Sequence, residues 1–153
     1  MKYITVLFLL IVLTISAQQK QDPCSSIESS QFDFWLGEWE CSWTDAEGKI
    51  QSGSNFVQKI LGSCVIEENF DGNPGTPLIG KSHSVYSIQH GKWFQTWVDN
   101  NGSYLDFSGG MADDKMILSR TVNLPDGTSF MQRMVWHNIT ENEFDWNWER
   151  SDD

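Results

Sequence analysis

The chain has 153 residues, with 21 acidic and 10 basic side chains and a net charge of −11. This excess of negative charge disfavours nucleic-acid binding, which needs a basic face to contact phosphate, and it equally disfavours docking on anionic lipid. The length fits one domain with a substantial core.

The first 17 residues have the features of a cleavable signal peptide. Lys2 supplies a positive charge, residues 4–15 form an apolar stretch too short to span a bilayer comfortably, and Ser16 and Ala17 are small residues suited to cleavage. We therefore expect a signal peptide over residues 1–17, an N-terminal segment over 18–30 and a single domain over 31–153. The mature protein is then exported, periplasmic or extracellular, with no membrane insertion.

An aromatic-rich segment opens the predicted domain. Five of the residues in 32–43 are aromatic, and Gly37 and Trp39 form a Gly-x-Trp pattern. This predicts a short helical turn that plugs one end of a small β-barrel, with the first strand starting at the glycine. The pattern also resembles the Gly-x-Trp of true lipocalins, which implies that Trp39 helps to close the base of the barrel, with Arg150 or Arg133 packed across it through a cation–π contact.

From Gly37 onward, strand-like runs alternate with turn signals about every 8–12 residues, which is typical of all-β proteins. No interval is long enough for a crossover helix, so the sequence predicts an antiparallel up-and-down meander that forms a β-barrel of about nine strands. The chain stops directly after a strongly patterned strand, and we therefore expect one last strand to be missing. Turns are predicted at residues 45–48, 71–75, 90–91, 99–102, 112–114 and 125–127.

Glu68 is the first candidate for a functional side chain. It shares a face of its predicted strand with Cys64, Ile66 and Phe70, while Glu67 points the other way. A carboxyl group inside an apolar barrel must be paired or have its pKa raised, and Arg133 is the expected partner. Such a pair could anchor a polar ligand group or serve as general acid. The alternative is a buried salt bridge that only fixes packing.

A second constellation comes from the strand that carries Trp97 and Gln95. Aromatic side chains that alternate with an amide can line a pocket, because they combine flat apolar contact with orienting hydrogen bonds. Tyr86 could add a hydroxyl group to the same cavity. Here the alternative is ordinary core packing.

The three cysteines of an exported chain predict one disulfide and one free thiol, and their spacing does not choose among the three possible pairs. No metal site is expected, because His83, His90 and His137 lack ligand spacing with each other or with the cysteines. No cofactor is expected either. Haem binding would need His83 or His137 to point inward near the mouth of the barrel.

The chain resembles a bacterial family of exported proteins of unknown function that are usually described as lipocalin-like. The resemblance implies a calycin-type barrel with a largely unidentified ligand and no known activity. It also implies a Cys24–Cys64 disulfide that leaves Cys41 free, and relatives that continue past the final Ser-Asp-Asp. The segments that carry the resemblance are 31–43, 61–68, 92–100, 107–111, Arg133 and 148–153.

These observations lead to three functional hypotheses. The first is a binding protein that holds a small, largely apolar or aromatic molecule in a cup. The second is an enzyme on the same barrel, with Glu68 as general acid or base. The third is carbohydrate recognition by exposed tryptophans. The residues expected to line the cup are Trp39, Glu68, Tyr86, Gln95, Trp97 and Arg133.

Overall fold

The computed structural model describes residues 24–151. The signal peptide expected over residues 1–17 lies outside the described residues. No helix in the described range has the length and apolar character that crossing a bilayer would require.

Nine antiparallel strands form one sheet, and each strand pairs with its neighbours in the sequence. The sheet is curled into a half-barrel, with β1 and β9 at the two ends of the strand order. The predicted all-β, up-and-down meander is therefore confirmed. The strands are β1 (Gly37–Thr44), β2 (Ile50–Ile60), β3 (Val65–Asp71), β4 (Ile79–Ser87), β5 (Lys92–Asp99), β6 (Tyr104–Ala112), β7 (Lys115–Asn123), β8 (Ser129–His137) and β9 (Asp145–Ser151).

The six predicted turns all lie at junctions between consecutive strands. Two further junctions were not predicted: 61–64 between β2 and β3, and 138–144 between β8 and β9. Cys64, which was expected on a strand, lies in the first of these. The missed turn contains Leu61 and Ser63 with positive φ values of 49° and 68°. Such values are uncommon for residues other than glycine, so Gly62, with a φ of 67°, is the clearest turn signal of this segment.

The predicted helical plug is present as two 3₁₀ turns, Glu28–Ser30 and Asp33–Trp35, directly before β1. Between them, Phe32 is fully buried. Its ring makes edge-to-face contacts with Trp93 of β5 at 4.9 Å and with Trp136 of β8 at 5.2 Å between centroids. One side chain therefore joins two strands that lie three positions apart in the sheet, which requires the sheet to curl.

The buried core side chains of the strands share one face of the sheet, which we call the concave face because it wraps around Phe32. The opposite face is called convex. Cross-strand register shows that the core side chains lie on the same side. They are Val57, Ile66, Trp93, Phe107, Met116, Leu118, Met134 and Trp136.

A disulfide joins Cys24 to Cys64, and Cys41 is a free thiol. The pairing implied by the family resemblance is thus confirmed. The bridge ties the segment before the plug to the turn between β2 and β3. Because disulfides persist in oxidising compartments, it favours an oxidising environment for this protein.

Replacing the central plug residue tests the role of the plug. We expect Phe32→Ala to lower the free energy of unfolding by about 3–5 kcal/mol, because it leaves a cavity between two buried tryptophans. Urea unfolding followed by tryptophan fluorescence measures this. The control is Ile27→Ala, whose side chain is 88% exposed in the same segment and should change stability by less than about 0.5 kcal/mol. Equal effects of the two variants would contradict the plug assignment.

Alkylation of the denatured, non-reduced protein is expected to label Cys41 alone, and prior reduction should expose all three thiols. The Cys24→Ser/Cys64→Ser double variant is expected to lose about 3–4 kcal/mol of stability, because the bridge closes a loop with a sequence separation of 40 residues. Mass spectrometry of peptides locates the label, and urea unfolding measures the stability. Labelling of Cys24 or Cys64 without reductant would refute the pairing.

Candidate ligand-binding face

Glu68 of β3 is buried on the concave face, as the sequence predicted, but its partners are neutral. Its Oε1 accepts a hydrogen bond from the Asn55 amide nitrogen at 2.7 Å, and its Oε2 accepts one from the Ser82 hydroxyl at 2.6 Å. Burial raises the pKa of Glu68 to about 7, against the smaller lowering effect of these two hydrogen bonds. At neutral pH the side chain is therefore close to half-protonated and is able both to donate and to accept a proton.

Asn55 adds to the same cluster a hydrogen-bond acceptor that has no partner within residues 24–151. The residue is 7% exposed, and its Oδ1 is buried without a hydrogen bond from any residue in 24–151. Cys41 of β1 lies near the cluster, where burial first and the charge of Glu68 second raise the pKa of its thiol. We call Asn55, Glu68 and Ser82 the polar cluster.

Gln95 of β5 lies on the next row of the concave face. It is 3% exposed, and its amide nitrogen donates to the hydroxyl of the fully buried Ser84 at 2.9 Å. Tyr86 is half-buried on the same face, with its ring 5.8 Å from that of Trp93. The fold thus brings both predicted residues to the concave face, where Tyr86 packs directly on the core.

An aromatic row lies at the end of the concave face away from the plug. The ring centroids of Trp43 and Phe70 are 6.4 Å apart, and those of Phe70 and Trp97 are 6.2 Å apart. The Trp97 indole donates to Asp99 Oδ2 at 3.0 Å. Gly80 lies directly beneath Trp97, since a Cβ there would be 2.0 Å from the ring. Aromatic surface therefore borders the polar cluster.

Trp39 connects the plug with the two ends of the sheet. Its indole donates to the Trp35 carbonyl at 2.8 Å, and its ring packs 4.8 Å from Phe144, directly before β9. The basic residue expected across Trp39 lies elsewhere, since the Arg150 guanidinium is 3.9 Å from the centroid of Phe130.

The pairing of Arg133 with Glu68 was wrong. Arg133 lies on the convex face, where it pairs with Glu149 across the β8–β9 ladder at 2.5 Å. The reason is the alternation of β8, because its neighbour Met134 belongs to the core and a strand residue points away from its neighbours. Arg133 is thus separated from Glu68 by the sheet itself.

The histidines also lie away from the concave face. His83 pairs with Glu67 at 3.4 Å and His137 approaches Asp145 at 4.0 Å, both on the convex side. Neither position fits a haem ligand inside the curl. Within residues 24–151, no group of three or more His, Cys, Asp or Glu side chains is arranged to hold a metal ion.

Two clefts on the described surface add residues that sequence reasoning missed. One, of about 330 Å³, lies beside Arg133 and Glu149. The other, of about 430 Å³, includes Gln95 from the predicted set. It also includes Arg120, which alternation could have placed on the concave face with Met116 and Leu118.

No protein-family model matches this sequence, and no curated protein shows a significant match to it.

Substitution of Glu68 tests its ionisation. A raised pKa means that the stability contributed by Glu68 is fully present below the unfolded value of 4.5 and is lost as pH rises through about 7. The difference between these two pKa values corresponds to about 3 kcal/mol of unfolding free energy. We therefore expect the free energy of unfolding of the wild type to fall by about 3 kcal/mol relative to that of Glu68→Gln between pH 4.5 and about pH 8.

Urea unfolding of both proteins across this range measures the difference. The control is Glu67→Gln, on the convex face of the same strand. Hydrogen bonds, chiefly from Gln58, lower the pKa of Glu67, so its contribution is lost only as the pH falls into the acidic range. A wild-type curve that runs parallel to the Glu68→Gln curve would refute the raised pKa.

Proposed function

We propose that this protein is an exported binding protein whose concave face holds a small, largely apolar or aromatic molecule. The observation that carries the proposal is the buried, unpartnered Oδ1 of Asn55 in a polar cluster next to an aromatic row. Buried acceptors without partners are costly and rare, so a ligand hydroxyl or N–H group at this position would supply what the protein lacks.

The surroundings of the cluster fit this role. Ligand sites are mostly apolar with a few placed polar groups, and here Phe70 and Trp97 provide the apolar surface while Glu68 and Gln95 provide orienting groups. Trp39 would close the base of the site. Arg133 has no part in it, because it lies on the convex face.

Export and family membership belong to the same proposal. The disulfide favours an oxidising compartment, and the signal-like first 17 residues are consistent with a route there. The motifs quoted above support membership of the lipocalin-like family of exported proteins of unknown function.

Titration with N-phenyl-1-naphthylamine, an uncharged aromatic dye that fluoresces in apolar sites, tests ligand binding. We expect saturable binding, weakened about 3- to 10-fold by Phe70→Leu, since part of the aromatic wall is lost. The matched control is Phe56→Leu, which removes a convex ring that is 42% exposed and should leave the affinity unchanged. Absence of saturable binding, or equal weakening by both variants, would contradict the concave-face site.

Catalysis is the second candidate, favoured by the pKa of Glu68 near 7, which suits a general acid or base at neutral pH. A turnover activity that depends on Glu68, found by screening hydrolytic and isomerase substrates, would favour it over simple binding. Loss of that activity in Glu68→Gln with retained dye affinity would separate the two functions.

Carbohydrate binding is favoured by a different feature, the pair Trp146 and Trp148 on β9. Their side chains are 46% and 42% exposed, and their ring centroids are 6.4 Å apart. Exposed indoles of this kind can stack on sugar rings. Retardation in gels containing soluble polysaccharide, abolished by Trp146→Ala, would support this candidate.

A further inference from the structure

The cleft of about 430 Å³ lies where two neighbouring strands separate. β6 pairs with β5 over residues 104–109, but with β7 only over residues 108–112. The β6–β7 ladder therefore ends at the pair Ser108–Ser119, while the rest of β7 continues along β8. The cleft is lined by residues of both faces: Phe94, Gln95, Thr96, Asp106, Phe107, Ser108, Ser119, Arg120, Thr121 and Met131.

Arg120, one residue beyond the last β6–β7 pair, borders this cleft with an unpaired guanidinium. Its Nε and Nη1 atoms are buried and have no hydrogen-bond partner in the described part of the chain. The guanidinium carbon lies 5.7 Å from the centroid of the Phe107 ring. Asp106 lines the same cleft but forms no ion pair with Arg120. Among residues 24–151, no carboxylate forms an ion pair with this cation.

Buried guanidinium nitrogens without acceptors destabilise a protein, and the contact with Phe107 offsets only part of that cost for the half-buried Arg120. A planar guanidinium matches the geometry of a carboxylate, to which it donates charge-assisted hydrogen bonds. The missing partner is therefore an anionic acceptor of small size.

We propose that Arg120 binds the carboxylate of a small aromatic acid in the β6–β7 cleft. Phe107 provides the ring surface next to the guanidinium, and its own ring packs 5.7 Å from Trp148. Gln95 joins the cleft to the concave face. The inference goes beyond the proposed function, because it adds a site with its own class of ligand. A carboxylate is chosen over phosphate because a single guanidinium with aromatic walls balances one negative charge rather than two.

Calorimetric titration with 2-naphthoate and with 2-naphthamide at pH 7.5 and low salt tests the proposal. The two probes share a ring system and differ in charge. We expect the wild type to bind the carboxylate about 10-fold or more tighter than the amide, as a charge-assisted hydrogen bond implies. Arg120→Met should abolish this preference, and Arg120→Lys should keep part of it, because it keeps the charge without the planar fork.

The matched control is Arg133→Met, which removes the same charge from the convex face and should leave the preference intact. Thermal unfolding checks that the variant is folded. Because Arg120→Met removes a charge without an ion-pair partner in the described residues, it should not lower the melting temperature. Equal wild-type affinity for both probes, equal loss of preference in both variants, or tighter binding of 2-naphthyl phosphate would each overturn the carboxylate assignment.

The experiment separates this inference from the proposed concave-face site. Saturable dye binding without binding of either naphthyl probe would overturn the carboxylate site and leave the proposed function standing. Arg120-dependent binding of 2-naphthoate without dye binding would support the cleft and overturn the concave-face site.

Discussion

The contact of Phe32 with Trp93 and Trp136 is the constraint on which the shape of this protein depends. These three rings pack edge to face, with no solvent exposure at Phe32, and they link the plug to β5 and β8 at once. A flat sheet of nine strands would hold β5 and β8 about 14 Å apart, since neighbouring strands are spaced by about 4.8 Å. Shared contact with one ring requires curvature, and curvature creates a concave face.

Curvature also explains why polar groups are buried on that face. The core near the plug is apolar, while the polar cluster of Asn55, Glu68 and Ser82 lies farther along the strands, bordered by the aromatic row. Neutral partners leave Glu68 with the desolvation cost of a buried carboxylate, which raises its pKa to about 7. A charged partner such as Arg133 would have had the opposite effect, and the sheet keeps that side chain on the other face.

The separation of β6 from β7 gives the sheet its second distinctive feature. β7 stops pairing with β6 after Ser119 and continues only with β8, so a cleft forms between β6 and β7 beside Arg120. The same divergence leaves the guanidinium near Phe107 and, within residues 24–151, without an ion pair. Two of the groups that lack partners within residues 24–151, Asn55 Oδ1 and the Nε and Nη1 atoms of Arg120, belong to residues on the concave face.

The sequence by itself determined the local features of this protein, namely the meander, the plug before Gly37 and the inward direction of Glu68, Gln95 and Trp97. These follow from two-residue alternation and from turn residues, which act over a few positions of the chain. Alternation would also have placed Arg133 outward and Arg120 inward. The β2–β3 turn was missed because its Leu61 and Ser63 are not typical turn formers at positive φ. Only the tertiary structure decided that Asn55 and Ser82 are the partners of Glu68, that β6 and β7 part at Ser119, and that Arg120 pairs with no carboxylate in the described part of the chain. These depend on cross-strand register and on the curl around Phe32, which join residues distant in the chain and leave no pattern within any one strand.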